Sequence, residues 1–168
     1  IVIVGGGATG IEVAGILSEM KKFVLPNDYP DMSSSLMHIY LIEAGPRLLA
    51  GMSEESSAHA EQFLREMGVN ILLNKRVVDY RDHKVVLEDG TEIATRTFIW
   101  VSGVTGVTIG NLDASLIGRG GRIKVDSFNR VEGMNNVFAI GDQCIQLADE
   151  NYPNGHPQLA QVAIQQGE

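Results

Sequence analysis

The opening of the chain constrains its fold more than any other stretch. An apolar run, Ile1–Val4, passes into Gly5-Gly6-Gly7-Ala8-Thr9-Gly10 and then into the helical pattern Ile11-Glu12-Val13-Ala14-Gly15-Ile16-Leu17. Strand, glycine turn and helix follow without a spacer, and Gly5, Gly7 and Gly10 stand in G-x-G-x-x-G register. Gly5 lets the chain leave the strand in a tight turn. Gly7 lacks a Cβ, so a pyrophosphate can approach the backbone. Gly10 lets the helix pack closely on the strand. The free N–H groups at the start of the helix, at the positive end of its dipole, then face the phosphates. The glycines alone are a weak signal, and the flanking strand and helix give them weight.

With 168 residues the chain can bury one good core, or one domain and part of another. Its net charge of −8 argues against nucleic acid and against an anionic membrane surface as partners of this stretch. A single cysteine, Cys144, excludes an internal disulfide and suits a reducing compartment. No run is long and apolar enough to span a bilayer, and no signal peptide is visible. The chain begins inside a strand without Met and stops inside a helical pattern, so it is expected to be a piece of a longer protein.

Further along, the first helix is expected from about Thr9 to Phe23, burying Val13, Leu17 and Met20, with Pro26 ending it. Asn27–Ser35 reads as a polar loop. His38–Glu43 is a buried parallel strand. Ser53 caps a second long helix whose buried stripe is Ala60, Phe63, Leu64 and Met67, with Gly68 at its C-terminal stop. Val69–Leu73 is a third parallel strand. Arg76–Tyr80, Lys84–Glu88 and Glu92–Ala94 form a meander, with Asp89-Gly90 as a turn, in place of a crossover helix. Thr97–Val101 is a fourth core strand, ending at Ser102-Gly103. Gly106–Arg119 is loop-like, Gly121–Asp126 and Asn136–Ile140 are expected strands, and a last helix runs from about Gln158 with Pro157 at its first position.

Several side chains in this frame can carry chemistry. Glu43 closes the second strand, where an acid accepts hydrogen bonds from adenosine ribose hydroxyls and repels a 2′-phosphate, favouring NADH over NADPH. The usual distance from the glycines is about 20 residues. Gly10 and Glu43 are 33 positions apart, an excess attributed to the Asn27–Ser35 insertion. Arg47 nearby could instead receive a phosphate, and an ordinary solvated strand end is the plain alternative for Glu43. Asp142, in Gly141-Asp142 after a strand, could bind a polyol such as a flavin ribityl chain; read alone it is equally a turn. Glu12 near the helix start needs no function, since the helix dipole already favours it. His38, His59, His83 and His156 lack metal-ligand spacing, so no metal site is expected. Cys144 reads as a packed thiol.

Five segments in order, I-V-G-G-G-A-T-G-I-E-V-A-G, I-Y-L-I-E-A-G-P-R-L-L, W-V-S-G-V, N-V-F-A-I-G-D-Q-C and P-Q-L-A-Q-V-A-I-Q-Q-G, give the chain a resemblance to the bacterial type II NADH:quinone dehydrogenases. These are FAD-containing, membrane-peripheral enzymes of the pyridine nucleotide-disulfide oxidoreductase superfamily. The resemblance covers the whole chain and implies an α/β fold. Residues 1–107 would be a Rossmann-like NAD(P)-binding domain with a parallel sheet and β-meander crossover. Residues 108–168 would be a partial C-terminal segment of the FAD-binding domain. It implies hydride transfer from NADH to FAD, and electrons onward to a quinone in a respiratory chain. The location would be the cytoplasmic face of the bacterial inner membrane. Attachment would run through a C-terminal region beyond Glu168, and a homodimer is left open.

By the same resemblance, Gly5, Gly7, Ala8, Thr9 and Gly10 would cradle the NADH pyrophosphate. Glu43, with Ala44 and Arg47 beside it, would hold the adenosine ribose. Glu12 would point toward the nicotinamide–flavin junction, and Gly103 and Val104 would pass beside the nicotinamide. Gly141 and Asp142 would bind the FAD ribityl chain. Gln161 and Gln165, i and i+4 on the last helix, would lie near flavin and quinone. The family's first glycine motif, which holds the FAD ADP moiety, would precede Ile1, so the chain by itself is expected neither to bind FAD tightly nor to reduce quinone. Ser102 departs from the pattern, standing where a small apolar residue is common. Two alternatives remain at this point: an NADH-dependent disulfide or ferredoxin reductase of the same superfamily, and a redox-sensing NAD-binding module without turnover.

Overall fold

A computed structural model describes every residue except Thr108. The chain divides into two compact units, Ile1–Ser102 and Gly103–Glu168. The boundary expected after Val107 abuts Thr108, which lies outside the described residues.

The first unit is built on four parallel strands in the order β3-β2-β1-β7. β1 is Val2–Val4, β2 Ile39–Ile42, β3 Val69–Leu72 and β7 Phe98–Trp100. Ile3 lies between Leu41 on one side and Ile99 on the other. Alternation along the strands splits the core in two. Ile3, Ile39, Leu41, Val69 and Ile71 face the helices α1 (Ala8–Glu19) and α3 (Glu54–Glu66), where Ala14 and Leu64 complete the packing. Val2, Val4 and Ile42 face the meander, β4 (Val77–Arg81), β5 (Lys84–Leu87) and β6 (Glu92–Ala94), which contributes Val85 and Leu87. Helices thus cover one face and the meander covers the other, as a crossover helix otherwise would. Tyr80 stacks on Phe98 with ring centroids 4.5 Å apart, joining meander to sheet. The β4–β5 turn places Asp82 and His83 at φ 49° and 59°, the backbone of a type I′ hairpin.

Three details of the helices differ from expectation. The buried face of α1 is Gly10, Ala14 and Ser18, with Ser18 Oγ donating to Ala14 O at 2.8 Å. Larger Val13 and Leu17 flank that stripe, and Met20 is exposed. A helix pressed this close to a strand admits only small side chains directly over it. Pro26 does not stop the helix either. Met20–Val24 adopt π register, with Leu25 N–H donating to Met20 O, and α2 (Leu25–Asp28) follows with Pro26 in its first turn. The wider turn relieves the clash of the proline ring with the carbonyl four residues back, and a first-turn residue needs no N–H. In α3, Phe63 is exposed and Ser57 is buried in its stead, its hydroxyl donating to Leu48 O at 2.6 Å. Ser53 caps α3 by accepting from Ser56 N–H at 3.1 Å, and Gly68 ends it at φ 85°.

The second unit holds a parallel pair, β8 (Ile123–Val125) and β9 (Cys144–Gln146), over a core of Ile123, Val125, Val131 and Cys144. The expected strand Asn136–Ile140 is absent. That segment makes a single bridge, Phe138 to Arg130, and Val137, Phe138 and Ile140 are exposed. Its apolar run finds no flanking strand among the described residues, and β9, a few residues on, takes the place beside β8. The last helix, α4 (Ala160–Gly167), begins after an extended Leu159, so Pro157 lies outside it.

Candidate functional site

The glycine turn forms as its sequence dictates. Gly5, at φ 118°, leaves β1 in a conformation that a side chain rarely adopts. A Cβ on Gly10 would lie 1.9 Å from Gly5 O, so only glycine lets α1 settle this near the strand end. At Gly7 a Cβ would meet nothing within 4 Å. The space over the helix start is open at the position where a pyrophosphate would sit. Gly7 is the N-cap of α1 and supplies no side-chain cap. The first-turn N–H groups of Ala8, Thr9 and Gly10 therefore have no partner within the helix and point outward with the positive dipole end.

Glu43 leaves the end of β2 directly beside this turn. Its Oε2 accepts from Gly6 N–H at 2.6 Å and its Oε1 from Gly45 N–H at 2.7 Å. Each carboxylate oxygen keeps a further lone pair for a hydroxyl donor. Gly6 is a residue that the motif reading passed over. A Cβ there would meet Leu48 at 2.7 Å and Glu43 at 3.0 Å, so the second glycine of the run makes room for the acid. Glu43, Ala44 and Gly5 line a cleft of about 100 Å³ together with Lys75, Arg76 and Trp100. The last three were not singled out from sequence. Their signal was positional: each lies at or just beyond the carboxyl end of a parallel strand, where open α/β sheets bind ligands.

Arg47 is committed elsewhere. Its guanidinium donates to Ala50 O at 2.8 Å and to Met52 O at 3.0 Å, pinning the loop before α3. Glu12 is the fifth residue of α1, past the first turn, so the dipole no longer accounts for it. It is exposed.

In the second unit, Gly141 takes φ 65° and begins a 3-10 turn, Gly141–Gln143, that carries an exposed Asp142. Gln166 of α4 accepts from Gly141 N–H at 2.7 Å, and Gln158 donates to Asp142 O at 3.1 Å. A Cβ on Gly141 would stand 3.2 Å from Ala163. The turn and α4 are therefore one packed piece. Gln166, the third glutamine of the run, was missed because it repeats the letter beside Gln165. Gln161 and Gln165 are exposed, and among the described residues their side chains form no hydrogen bond. Burial pushes the Cys144 thiol up from its ordinary value, and the thiol donates to Gly141 O at 3.4 Å, a packed role. Gly103, at φ 77°, and Val104 are exposed. The structure thus gathers Gly5, Gly7, Ala8, Thr9, Gly10, Glu43 and Ala44 into one place, and sets Gly141 and Asp142 against α4 through Ala163 and Gln166, while Gln161 and Gln165 lie at helix positions turned away from those contacts. Among the described residues no cluster of His, Cys, Asp or Glu could hold a metal.

Comparison with known proteins agrees with this fold. The model of the pyridine nucleotide-disulphide oxidoreductase family matches residues 1–167. A type II NADH:quinone oxidoreductase of Haemophilus influenzae is 34% identical over 90% of the chain, which covers 34% of that protein. The type II NADH:quinone oxidoreductase NdhA of Mycobacterium tuberculosis is 32% identical over 98% of the chain, covering 35% of that protein. A structure of NDH2 from Plasmodium falciparum in complex with NADH superimposes with a TM-score of 0.72 at 25% identity, over 86% of this chain and 31% of that one. The chain spans about a third of the length of the curated relatives it matches. Since that family model matches nearly the whole of the sequence, this chain belongs to the pyridine nucleotide-disulphide oxidoreductase family.

Proposed function

We propose that the chain is the NADH-binding part, and a portion of the FAD-binding part, of a type II NADH:quinone oxidoreductase. The observation that carries this reading is the Glu43 carboxylate, fixed by Gly6 and Gly45 N–H groups beside an open glycine turn. A carboxylate held there receives the two ribose hydroxyls of NADH and repels the extra phosphate of NADPH. The α1 N–H groups hold the pyrophosphate, and Gly7 leaves room for it. Residues 1–107 form the nucleotide domain and 108–168 belong to the flavin domain.

The flavin side fits as well. Asp142 is exposed on a turn that Gln166 and Gln158 brace, so its carboxylate is free to accept from a ribityl hydroxyl. FAD, when bound, supplies a ring that takes a hydride from NADH and passes two electrons to a quinone. The residues of this chain bind and orient. Glu12 borders the nicotinamide, and Gln161 and Gln165 present amides that can donate to and accept from a quinone or flavin carbonyl. No helix among the described residues is long and apolar enough to cross a membrane. Peripheral attachment at the cytoplasmic face of a bacterial inner membrane, and assembly as a homodimer, belong to the same proposal and rest on the similarity alone.

The test is NADH oxidation by the whole protein with a soluble quinone as sole acceptor. Turnover is expected. NADH oxidation that proceeds only with a disulfide or ferredoxin would replace this reading by the reductase alternative.

A further inference from the structure

The cleft beside Glu43 contains two cations that the nucleotide reading does not use. Lys75 and Arg76 follow β3 and line the same cleft as Glu43 and Ala44. Lys75 is tied to the acid by the backbone, its N–H donating to Glu43 O at 3.0 Å. Two cations at this place are the chemistry that a 2′-phosphate seeks. Both are turned away from it. The Lys75 ammonium pairs with the Asp89 carboxylate, and Arg76 Nε lies 3.8 Å from Glu88 Oε2. Lys75, Arg76, Glu88 and Asp89 close a second cleft of about 180 Å³.

Asp89 is built for this. It sits in the β5–β6 turn, which Gly90 makes possible at φ 84°. Its Oδ1 accepts from Thr91 N–H at 3.0 Å, leaving Oδ2 for Lys75. The Lys75 ammonium, before the Thr91 N–H, holds the Asp89 carboxyl well below the usual carboxylate range, so Asp89 stays charged throughout the neutral range. Glu88 N–H donates to Arg76 O at 2.8 Å, so the turn is stitched to the β3–β4 connection that carries the cations.

We infer that the β5–β6 turn is a second determinant of nucleotide selectivity: Asp89, with Glu88, withholds Lys75 and Arg76 from the 2′ position of the bound adenosine. This rests on the nucleotide reading of the Glu43 cleft. Glu43 acts by repulsion, and Asp89 acts by removing the attraction that would offset it. The side chains of Lys75 and Asp89 are each 41% exposed, so the pair adds little to stability and can be opened without harm to the fold.

Asp89→Asn is the test. An asparagine oxygen can still accept from Thr91 N–H, and its NH2 group then faces the lysine ammonium, donor against donor, releasing it. NADH and NADPH binding are measured by titration calorimetry on wild type, Asp89→Asn and Asp89→Asn/Lys75→Gln. Asp89→Asn is expected to bind NADPH about two- to fivefold more tightly, the most that an exposed pair of this kind can withhold, with NADH changed by less than about twofold. The second substitution is expected to abolish the gain. An unchanged NADPH-to-NADH ratio in Asp89→Asn overturns the inference and leaves the NADH reading standing, while a wild type that binds neither nucleotide overturns both. Should Asp89→Asn unfold, Asp89→Ser, which also keeps an oxygen for Thr91, is read the same way.

Discussion

At Glu43 the carboxylate already has two N–H donors from the backbone, which fix its direction before any nucleotide arrives. Glu43→Ala is therefore expected to weaken NADH binding by about tenfold or more, the loss of charge-assisted bonds to the ribose, and to bring NADPH level with it. Titration with both nucleotides checks this, and a variant that still prefers NADH would exclude the acid as the determinant. Arg47 was the complication in the sequence. Its three carbonyl contacts with residues 50–53 show why it need not favour a phosphate. Under the proposed function, Gln161 is the residue to test on the flavin side. In the whole enzyme Gln161→Leu is expected to slow quinone reduction about tenfold or more while NADH still bleaches the flavin quickly, since leucine can pack but cannot orient an oxygen. Stopped-flow absorbance separates the two half-reactions, and wild-type rates in both would make Gln161 structural. The place of Glu43 at the end of β2 was legible because an apolar run stops at an acid, even though its distance from the glycines exceeds the usual spacing. Gly6 and Gln166 were not, because their work is done through backbone groups brought near by folding.

Among elements, the glycine turn with α1 is the most tightly specified. Gly10→Ala would place a methyl 1.9 Å from Gly5 O, and moving the helix away would open the core above Ile3. A loss of about 3 kcal/mol or more is expected, read as a lowered denaturant midpoint; a neutral result would mean that the close approach is not needed. Removal of the α3 cap, Ser53→Ala, is expected to cost only about 1 kcal/mol. The second unit carries an acid-sensitive turn. Asp126 accepts from Arg130 N–H at 3.0 Å, which more than anything holds its carboxyl below the ordinary range, with Phe128 N–H and the Arg130 guanidinium adding to it. Its folded value is lowered, so its contribution is present above the ordinary carboxylate value of about 3.9 and is lost as pH falls through the lowered one. Asp126→Asn is expected to flatten the acid side of a melting-temperature profile and leave its neutral side nearly parallel. An unchanged acid limb would remove Asp126 from the account. Local patterns gave these elements their place: apolar runs for the parallel strands, Ser53 and Gly68 for the ends of α3. They failed where packing decides between equally apolar segments. Val137–Ile140 looks as strand-like as β9, and only the neighbour across the sheet distinguishes them. They failed again at Pro26, where a π turn absorbs a residue that usually stops a helix.

For the molecule as a whole, the α/β class and the meander packed against the sheet were readable because period-2 and period-3.6 patterns alternate cleanly through the first hundred residues. Beyond Ser102 the short strands and turns carry weaker signals, and the pieces there are held by side chain–backbone bonds with no periodicity. Gln143, for example, grips Val107 N–H and C=O at 2.8 and 2.6 Å. The net charge of −8 opposes any anionic ligand at long range, so dinucleotide recognition has to come from local groups: the α1 N–H groups, the open face at Gly7, and the Glu43 carboxylate. Under the proposed function these groups hold NADH. Titration calorimetry of the protein with NADH and with NADPH measures it directly. The account predicts saturable one-to-one binding of NADH, tighter than NADPH by about tenfold. NADPH binding as tight as NADH, or no binding of either, would contradict it.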